Sequence, residues 1–371
     1  MKRTVCRLSV FLCVLTAFSF SLKQDDASLL AKADKIHKSI ISMDTHTDTA
    51  MHLYRGKDPE KLQVSLKTMR EGHMDAVFFA SYVGQKARDD SSLNAATVYA
   101  EGMIRNMRKY VEDHSSEIGL ATTAKEVRQL KKQGKLIAIM AIENGYALGK
   151  DISNVKKFYD MGVRYITLSH NNNNDICDAA VTDDNPKYGF KKGPEWHGLS
   201  PFGEEVVREM NRLGIIIDVS HTSSETVADV LALSKAPIMA SHSSCRAIVD
   251  HPRNLTDEQI KAIAAKGGII QIAAYQGFLA ENEDDASISV FCDHVEHVKN
   301  LVGVDYVGFG SDFDGGSGFK GLEDESKVKY ITVELLRRGW TKKELRKFWG
   351  GNVLRVMEQA EKVAKKEQGN N

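Results

Sequence analysis

The sequence is poor in several features that would each define a class of protein. Its 371 residues include only five cysteines, and none has the spacing of a metal finger or of a dense disulfide framework. Lys+Arg and Asp+Glu are both 50, so the formal net charge is zero and no basic footprint for nucleic acid is present. Internal repeats and linker-like stretches are also missing, which favours a single domain.

The first 21 residues differ in composition from the rest of the chain. They contain three basic residues and no acidic residue, and residues 8–20 form one apolar run. A run of this length is typical of the hydrophobic region of a signal peptide and is short for a membrane span. We expect residues 1–21 to be a signal peptide. Residues 22–371 are then expected to be one exported domain, periplasmic or secreted, with no transmembrane segment.

The remaining cysteines and the charged C-terminal tail support the same interpretation. Cys177, Cys245 and Cys292 are left after cleavage, and unpaired cysteines usually pack as small hydrophobic residues. Cys13 matches a lipoprotein cleavage box poorly, and residues 361–367 are too charged for a C-terminal lipid-anchor signal. A lipid anchor is therefore not expected.

Short apolar stretches alternate with segments of helical period along the chain. Such stretches, bounded by glycine and polar residues, are typical of buried strands in a parallel sheet. Eight strands are expected at residues 40–48, 72–83, 135–143, 163–170, 214–221, 237–242, 267–275 and 304–316. Helices are expected at residues 26–39, 92–114, 123–133, 152–161, 201–213, 224–234 and 288–302, and after the capping boxes at Thr256–Gln259 and Thr341–Glu344. This alternation predicts an α/β fold, a TIM-like (β/α)8 barrel with an amphipathic C-terminal helix.

Three of the predicted strands end in the same dipeptide, Ser-His. They place His170, His221 and His242 at the carboxyl ends of strands, where parallel α/β folds carry their chemistry. Other strand ends contribute five more polar side chains: His46, Asp48, Glu143, Asp312 and Asp314. In a closed barrel all these ends face one bowl. Residues 171–199 lack periodicity and are expected to form a flap over it.

The residue types at these positions suit metal binding. His46 and Asp48 are two residues apart on a strand, so they point to the same face and can bind one cation. Histidine nitrogen and carboxylate oxygen are ligands for zinc and its neighbours. His221 and His242, on adjacent strands, can hold a second cation, and Glu143 can bridge the two. The sequence thus predicts a binuclear site that clamps a hydroxide and polarises a carbonyl group.

Each of these residues also has a simpler interpretation when taken alone. A lone histidine at a strand end is more often a hydrogen-bonded structural group, and Glu143 could be an ion-pair partner. The occurrence of such groups on most strands of one barrel favours the metal site instead. Eight other histidines carry no such pattern and are expected at surface or structural positions: His37, His52, His73, His114, His197, His251, His294 and His297.

Taken in order, these motifs resemble those of the membrane dipeptidase family, the renal dipeptidase-like zinc metallopeptidases of the amidohydrolase group. The resemblance spans residues 40–360 and is strongest over residues 198–223 and 307–315. It is carried by Asp44-x-His46-x-Asp48, Glu143, Leu168-Ser-His170, Asp218-Val-Ser-His221, Ser241-His242-Ser-Ser, Arg253-Asn254 and Gly310-Ser-Asp312-Phe-Asp314.

The resemblance implies a bacterial-type exported dipeptidase with two zinc ions per chain. By that match His46 and Asp48 would bind one Zn²⁺, and His221 and His242 would bind the other. Glu143 and a hydroxide or water would bridge the two ions. The implied reaction is hydrolysis of the peptide bond of dipeptides by attack of that hydroxide, with a broad choice of second residue that extends to its D-enantiomer.

The resemblance also implies roles for residues outside the metal ligands. Asp312 would accept the proton from the attacking water and pass it to the leaving amine, and His170 would bind substrate and stabilise the oxyanion. Arg253 would pair with the substrate's C-terminal carboxylate, for which a planar guanidinium is suited. Tyr275 is our candidate for a substrate-facing aromatic residue, with Phe278 as the alternative. No residue is a clear anchor for the ammonium end.

Two other functions are compatible with the same residues. The site could cleave a different amide or a lactone, in which case Arg253 would be dispensable. A non-catalytic exported binding protein is the other alternative, and the presence of Asp312 and of every expected ligand argues against it. Dipeptides are the expected small-molecule partners, and a homodimer is one arrangement that the sequence leaves open.

Overall fold

The computed structural model describes residues 27–369, so the expected signal peptide lies outside the described residues. This part of the chain contains nine parallel strands: β1 (Met43–Thr47), β2 (Ala76–Tyr82), β3 (Ile118–Leu120), β4 (Leu136–Glu143), β5 (Val163–Thr167), β6 (Ile216–Asp218), β7 (Met239–Ser243), β8 (Ile269–Ile272) and β9 (Val307–Phe309). Eight of them pair in the order β1-β2-β4-β5-β6-β7-β8-β9. The last segment returns to the first, because the Asp48 amide donates to the Phe313 carbonyl at 2.9 Å. The predicted TIM-like barrel is confirmed.

The strand β3 is the one strand in the described chain that the periodicity did not predict. It pairs with the first three residues of β4, from Leu136 to Ala138. β5 joins the same edge of β4 only from Met140 onward. The early part of β4 therefore has a free edge, and a strand of three residues is enough to satisfy it.

Helices surround the barrel. Those within residues 27–369 are α1 (27–39), α2 (Thr49–Tyr54), α3 (Leu66–Gly72), α4 (Asp90–Asp113), α5 (Ala124–Lys132), α6 (Ser153–Asp160), α7 (Pro201–Leu213), α8 (Ser224–Leu233), α9 (Asp257–Ala265), α10 (Gln276–Leu279), α11 (Ile288–Val302), α12 (Lys329–Arg337), α13 (Lys342–Arg346) and α14 (Asn352–Gly369). The capping boxes at Thr256 and Thr341 are both formed, as predicted. None of these helices is both long and apolar enough to cross a bilayer.

The C-terminal helix closes the amino-terminal end of the barrel. Residues of α14 such as Val353 and Met357 share one buried cluster with Met43, Ile137 and Met239, which lie near the starts of their strands. The chain reaches α14 through a π-helical turn at Lys347–Gly351. With that end sealed by apolar packing, the carboxyl ends of the strands are left as the open face of the barrel.

Irregular segments follow the strands at this open face. The strands end earlier than predicted, so His170 and His221 each lie three residues beyond β5 and β6. Residues 171–199 contain no helix or long strand and cover part of the face. Asp178 holds this flap together, because its carboxylate accepts hydrogen bonds from the backbone amides of Glu195, Trp196 and Gly198 at 2.8–3.1 Å. The three cysteines of the described chain are buried free thiols, as expected.

Candidate metal centre

Five polar side chains converge at the open end of the barrel. Glu143 is the last residue of β4, and His46 and His242 lie within β1 and β7. Asp48 directly follows β1, and His221 stands in the loop after β6. All five are buried, with at most 8% of any of them exposed. The fold thus brings together every residue that the sequence pattern proposed as a ligand.

The Glu143 carboxylate lies between two groups of histidines. Its Oε1 is 3.1 Å from His221 Nε2 and 3.4 Å from His242 Nε2. Its Oε2 is 3.6 Å from His46 Nε2, which is in turn 4.0 Å from Asp48 Oδ2. The potential ligand atoms of His46, Asp48 and Glu143 lie within 4.8 Å of one another, and so do those of Glu143, His221 and His242. The Glu143 carboxylate therefore belongs to two adjacent groups of three potential ligands.

The outer nitrogen of each histidine is already engaged. His46 Nδ1 is 2.7 Å from the Tyr165 hydroxyl, and His242 Nδ1 is 2.8 Å from Ser241 Oγ. His221 Nδ1 is 3.3 Å from the Asn171 side-chain oxygen. Such partners orient the ring of a metal-binding histidine and set its tautomer. All three Nε2 atoms are consequently directed at the Glu143 carboxylate.

Several of these inward atoms have no hydrogen-bond partner. His46 Nε2, His242 Nε2 and Asp48 Oδ1 are buried and unpartnered. A buried polar atom without a partner costs about 1–3 kcal/mol. Nitrogen and carboxylate donors at these separations suit zinc and similar divalent cations, and ligation would satisfy each atom. The residues present therefore fit a metal cluster.

The charge state of the cluster fits the same conclusion. Burial disfavours ionisation of Glu143, but the surrounding histidines outweigh it and hold its pKa well below the usual range. Burial lowers the pKa of His221 and His242 well below 6.5, so both rings are neutral, as ligands must be. Burial alone would also lower the pKa of His46, yet Glu143 and Asp48 raise it to about 10. The metal-free cluster thus holds a proton that a cation would displace.

Asp218 supports the histidine side of the cluster from within the wall of the barrel. Its Oδ1 accepts from the amides of Ser220 and Ser241 at 3.1 and 2.8 Å. Its Oδ2 accepts from the hydroxyls of Thr167 and Ser241 at 2.5 and 2.6 Å. Because the Ser241 hydroxyl donates to Asp218, its oxygen is free to accept the Nδ1 proton of His242. That tautomer leaves His242 Nε2 as a lone-pair donor.

Asp44 plays the corresponding part on the other side. Its Oδ1 accepts from the amides of His46 and Ser311 at 3.1 and 2.8 Å. It thereby ties β1 to the loop after β9, which carries Asp312. Asp44 and Asp218 both belong to the sequence motifs described above, but the sequence did not predict that their hydrogen bonds support the cluster. For Asp218 the signal was an acidic residue inside an otherwise apolar strand, whereas Asp44 lies in the largely polar strand Met43–Thr47 and had no such signal.

Asp312 reaches the cluster from the loop after β9. Its Oδ1 is 3.9 Å from His46 Nε2, and burial raises the pKa of its carboxyl to about 6. Gly315 makes this approach sterically feasible, since a Cβ there would lie 2.3 Å from Asp48 Oδ2 and 2.5 Å from Asp312 Oδ1. Asp312 is therefore a carboxyl group beside the cluster, with a pKa near the neutral range.

Asp314, which was grouped with Asp312 in the sequence, has a different environment. Its Oδ1 accepts from the amide of Gln63 at 2.9 Å, and its Oδ2 accepts from the hydroxyl of Thr49 at 2.6 Å. His52 Nε2 is 2.8 Å from the Asp314 carbonyl oxygen. These contacts fasten the loop after β9 to the segments after β1, and Asp314 is absent from the groups of potential ligands.

A cavity of about 480 Å³ opens above the cluster. Arg253 lines it and is 5% exposed, with its guanidinium carbon 5.1 Å from the centre of the Phe278 ring. Burial lowers the pKa of Arg253 to about 10, which leaves it a cation at neutral pH. Tyr275 and Phe278 both line the cavity, 4.7 Å apart between ring centres. Phe278 lies beneath the guanidinium, and Tyr275 is the more exposed of the two.

His170 lies at the edge of the same cavity. Its ring centre is 4.0 Å from that of His221 and 4.8 Å from that of Tyr82. Its Nε2 is 4.0 Å from Glu143 Oε1, and burial lowers its pKa to about 4. A neutral imidazole next to the cluster can donate one hydrogen bond.

The cavity also contains residues that no sequence pattern singled out. Met51 and His52 from α2, Tyr82 from β2 and His251 from the loop before α9 all line it. His251 Nδ1 accepts from the amide of Arg253 at 3.1 Å, so it also shapes the backbone there. Met51, His52 and His251 reach the cavity through helix and loop geometry that periodicity does not encode, whereas Tyr82 is the last residue of β2 and its residue type gave no functional signal.

Left-handed backbone conformations are concentrated around the cluster. Seven non-glycine residues within 27–369 have positive φ: His73, Asn144, Asn172, His197, His221, Asp312 and Asp314. Six of these seven lie near the cluster: Asn144 directly follows Glu143, Asn172 and His197 lie in the flap, and the other three belong to the loops that carry His221 and Asp312. This left-handed conformation has a steric cost for a residue with a side chain that it does not have for glycine.

Comparison with known proteins places this geometry in a family. The family model described as membrane dipeptidase, peptidase family M19, matches residues 30–371. Dipeptidase verJ of Clonostachys rogersoniana is 34% identical over 360 residues, which cover 91% of this chain and 88% of that protein.

Solved structures agree. The probable dipeptidase PvdM from Pseudomonas aeruginosa superposes with a TM-score of 0.83 at 27% identity, over 91% of this chain and 100% of that chain. A metallopeptidase from Rhodobacter sphaeroides, bound to a phosphinate mimic of L-Ala-D-Ala, has a TM-score of 0.77 at 25% identity, over 86% and 99% of the two chains. The chain therefore belongs to the membrane dipeptidase family, peptidase family M19, and is a metallo-dipeptidase of that family.

Proposed function

We propose that this protein binds two zinc ions and hydrolyses the peptide bond of dipeptides, including those with a C-terminal D-residue. The observation that carries the proposal is the position of the Glu143 carboxylate. One of its oxygens faces His221 and His242, and the other faces His46. The R. sphaeroides relative, bound to a mimic of L-Ala-D-Ala, supports dipeptides of mixed stereochemistry as substrates.

The metal ligands divide into two groups around that carboxylate. His46 and Asp48 would hold one ion, His221 and His242 would hold the other, and Glu143 would contact both. Two divalent cations at such a site activate water as a nucleophile and polarise the scissile carbonyl. The rest of the chemistry falls to residues that line the cavity.

Asp312 is positioned to move the proton. Its Oδ1 lies at the edge of the cluster, and a carboxyl group with a pKa of about 6 can take a proton and release it near neutral pH. We infer that Asp312 accepts the proton of the attacking water and delivers it to the leaving amine. His170 would donate its Nε2 proton to the oxygen of the tetrahedral adduct.

Arg253 would bind the C-terminal carboxylate of the dipeptide. It is a buried cation on the cavity wall, and its Nε has no partner among the described residues. Phe278 supports the guanidinium from below, which leaves Tyr275 as the aromatic residue positioned to contact the substrate.

A metal assay coupled to a dipeptide panel tests the proposal. We expect about two equivalents of zinc per chain and hydrolysis of L,L- and L,D-dipeptides that is lost with a chelator. Glu143→Gln should lower zinc affinity and turnover, each by about 100-fold, because it removes the carboxylate shared by the two groups of ligands. Glu112→Gln, at an exposed site on α4, is the matched control and should change neither. A folded wild-type protein with one metal or none, or with no activity on any dipeptide, would refute the proposal.

We also infer export, on the composition of residues 1–21. The mature protein should begin near residue 22, which N-terminal sequencing of protein from the periplasm or medium would test. A homodimer stays a prediction, and light scattering of the purified protein would decide it.

A further inference from the structure

A second cavity of about 350 Å³ adjoins the one above the metal centre. The flap, the loop after β6 and the loop between β7 and α9 form its walls. Two residues, His221 and Arg253, line both cavities. A molecule whose carboxylate is bound by Arg253 therefore has its neighbouring groups at the entrance of this second chamber.

The second chamber presents unpartnered polar atoms. Ser243 Oγ, Asn254 Oδ1 and Arg253 Nε are all buried without a hydrogen-bond partner in the described chain. Ser243 and Asn254 are each 1% exposed, and both line this chamber. Asn254 uses its amide nitrogen on the carbonyls of Val249 and Phe278, so only its oxygen is free. Because unpartnered buried groups are costly, the chamber favours a polar occupant. The Ser243 hydroxyl can donate to an anion, whereas Asn254 Oδ1 accepts only and needs a donor such as water.

The charges around the chamber favour an anion. Arg246 lines the wall, held by hydrogen bonds to the carbonyls of His251 at 3.2 Å and Pro252 at 2.8 Å. Neither Arg246 nor Arg253 forms an ion pair within residues 27–369. Two carboxylates line the chamber. The Asp178 carboxylate already accepts hydrogen bonds from backbone amides of the flap, and the Glu225 side chain is exposed on α8.

We propose that this chamber receives the side chain of the dipeptide's C-terminal residue, and that Arg246 makes the enzyme prefer an acidic side chain there. The proposal rests on the proposed function, since it takes Arg253 as the partner of the terminal carboxylate. The terminal carboxylate and the side chain are substituents of one Cα. With the first on Arg253, the second lies next to the chamber. A glutamate or aspartate side chain would then reach Arg246.

Three dipeptides of equal length test the preference on the metal-loaded enzyme. We expect kcat/KM for L-Ala-L-Glu to exceed that for the isosteric L-Ala-L-Gln by about tenfold, the worth of one charge-assisted hydrogen bond. L-Ala-L-Lys should be the poorest. Arg246→Met should bring the Glu/Gln ratio close to one. Arg208→Met, at an exposed arginine on α7, removes the same charge elsewhere and should leave the ratio unchanged.

A second variant distinguishes loss of the Arg246 charge from a displacement of the loop between β7 and α9. Loss of the Arg246 hydrogen bonds could displace the nearby backbone, but that would lower both rates and leave their ratio intact. Glu225→Gln removes the one exposed acid of the chamber and should raise the Glu/Gln ratio about twofold. A wild-type ratio near one, or a ratio unchanged by Arg246→Met, would overturn the proposal while dipeptide hydrolysis itself stands. Absence of activity on all three dipeptides would instead refute the proposed function.

Discussion

Replacement of Asp218 by asparagine should weaken metal binding without any change in a ligand. The carboxylate of Asp218 accepts four hydrogen bonds in the barrel wall, one of them from the Ser241 hydroxyl at 2.6 Å. Asparagine retains one acceptor oxygen and places an N–H₂ donor where Oδ2 stood. The Ser241 hydroxyl would then accept from the amide and donate to His242 Nδ1. That change puts the His242 proton on Nε2, the atom that faces Glu143.

The size of the effect follows from these contacts. Loss of a partner that orients a ligand histidine typically costs 10–100-fold in metal affinity, or about 1.4–2.7 kcal/mol. Two charge-assisted hydrogen bonds, from Thr167 and Ser241, are also weakened, each worth about 1.5–3 kcal/mol when intact. We therefore expect the metal-free variant to be less stable by about 2–4 kcal/mol.

Two measurements separate the consequences for metal binding and for stability. Competition with a chromogenic chelator gives metal affinity, and urea unfolding of the metal-free protein gives stability. Asp113→Asn, which removes an exposed ion pair with Lys109, is the matched control and should change both by less than about 1 kcal/mol. If Asp218→Asn lowers stability but leaves metal affinity intact, the relay through Ser241 to His242 is wrong.

Two further predictions concern other sites. Gly315→Ala should lower turnover about 100-fold, because the new Cβ would displace the carboxylates of Asp48 and Asp312. Gly369→Ala is the control: its Cβ would lie in open space, and turnover should not change. A fully active Gly315→Ala enzyme would contradict the close packing of Gly315 against the two carboxylates. Burial lowers the pKa of His37 from 6.5 to about 4, so its stabilising contribution is present above pH 6.5 and is lost as the pH falls towards 4. Between pH 7 and pH 5 urea unfolding should show about 2 kcal/mol of lost stability from this residue. His37→Gln should flatten that dependence, and an equal slope in both proteins would refute it.

The barrel was predictable because its strands are marked by period and composition. β4 (Leu136–Glu143) is buried along its whole length and reads as one apolar run that ends in Glu143. The spacing of His46 and Asp48 predicted a shared strand face. In the structure β1 ends at Thr47 and Asp48 has φ −90° and ψ 10°, yet its carboxylate still lies 4.0 Å from His46 Nε2. The convergence of the proposed ligands was predictable from topology, since parallel strands present their carboxyl ends on one face.

Other parts of the site could not be predicted, for physical reasons. His52 enters the cavity from α2, a helix of six residues that is tied through Thr49 and His52 to Asp314, a residue distant in sequence. The second chamber arises where the flap meets the loop before α9, a contact between segments without periodicity. Tyr165 shows the same limit: it reads as an ordinary core residue of β5, yet its hydroxyl contacts His46 Nδ1.

The strained backbone around the cluster has an evolutionary consequence. His221, Asp312 and Asp314 each occupy a conformation that costs on the order of 1–3 kcal/mol for a side-chain-bearing residue. Glycine at any of these positions would relieve the backbone, but it would delete a side chain of the proposed site at His221 or Asp312 and the loop-fastening carboxylate at Asp314. Selection for thermal stability alone would therefore favour glycine at these positions and lead to an inactive barrel. The apolar packing of α14 against the opposite end of the barrel stabilises the fold and so offsets the cost of the strained backbone around the cluster.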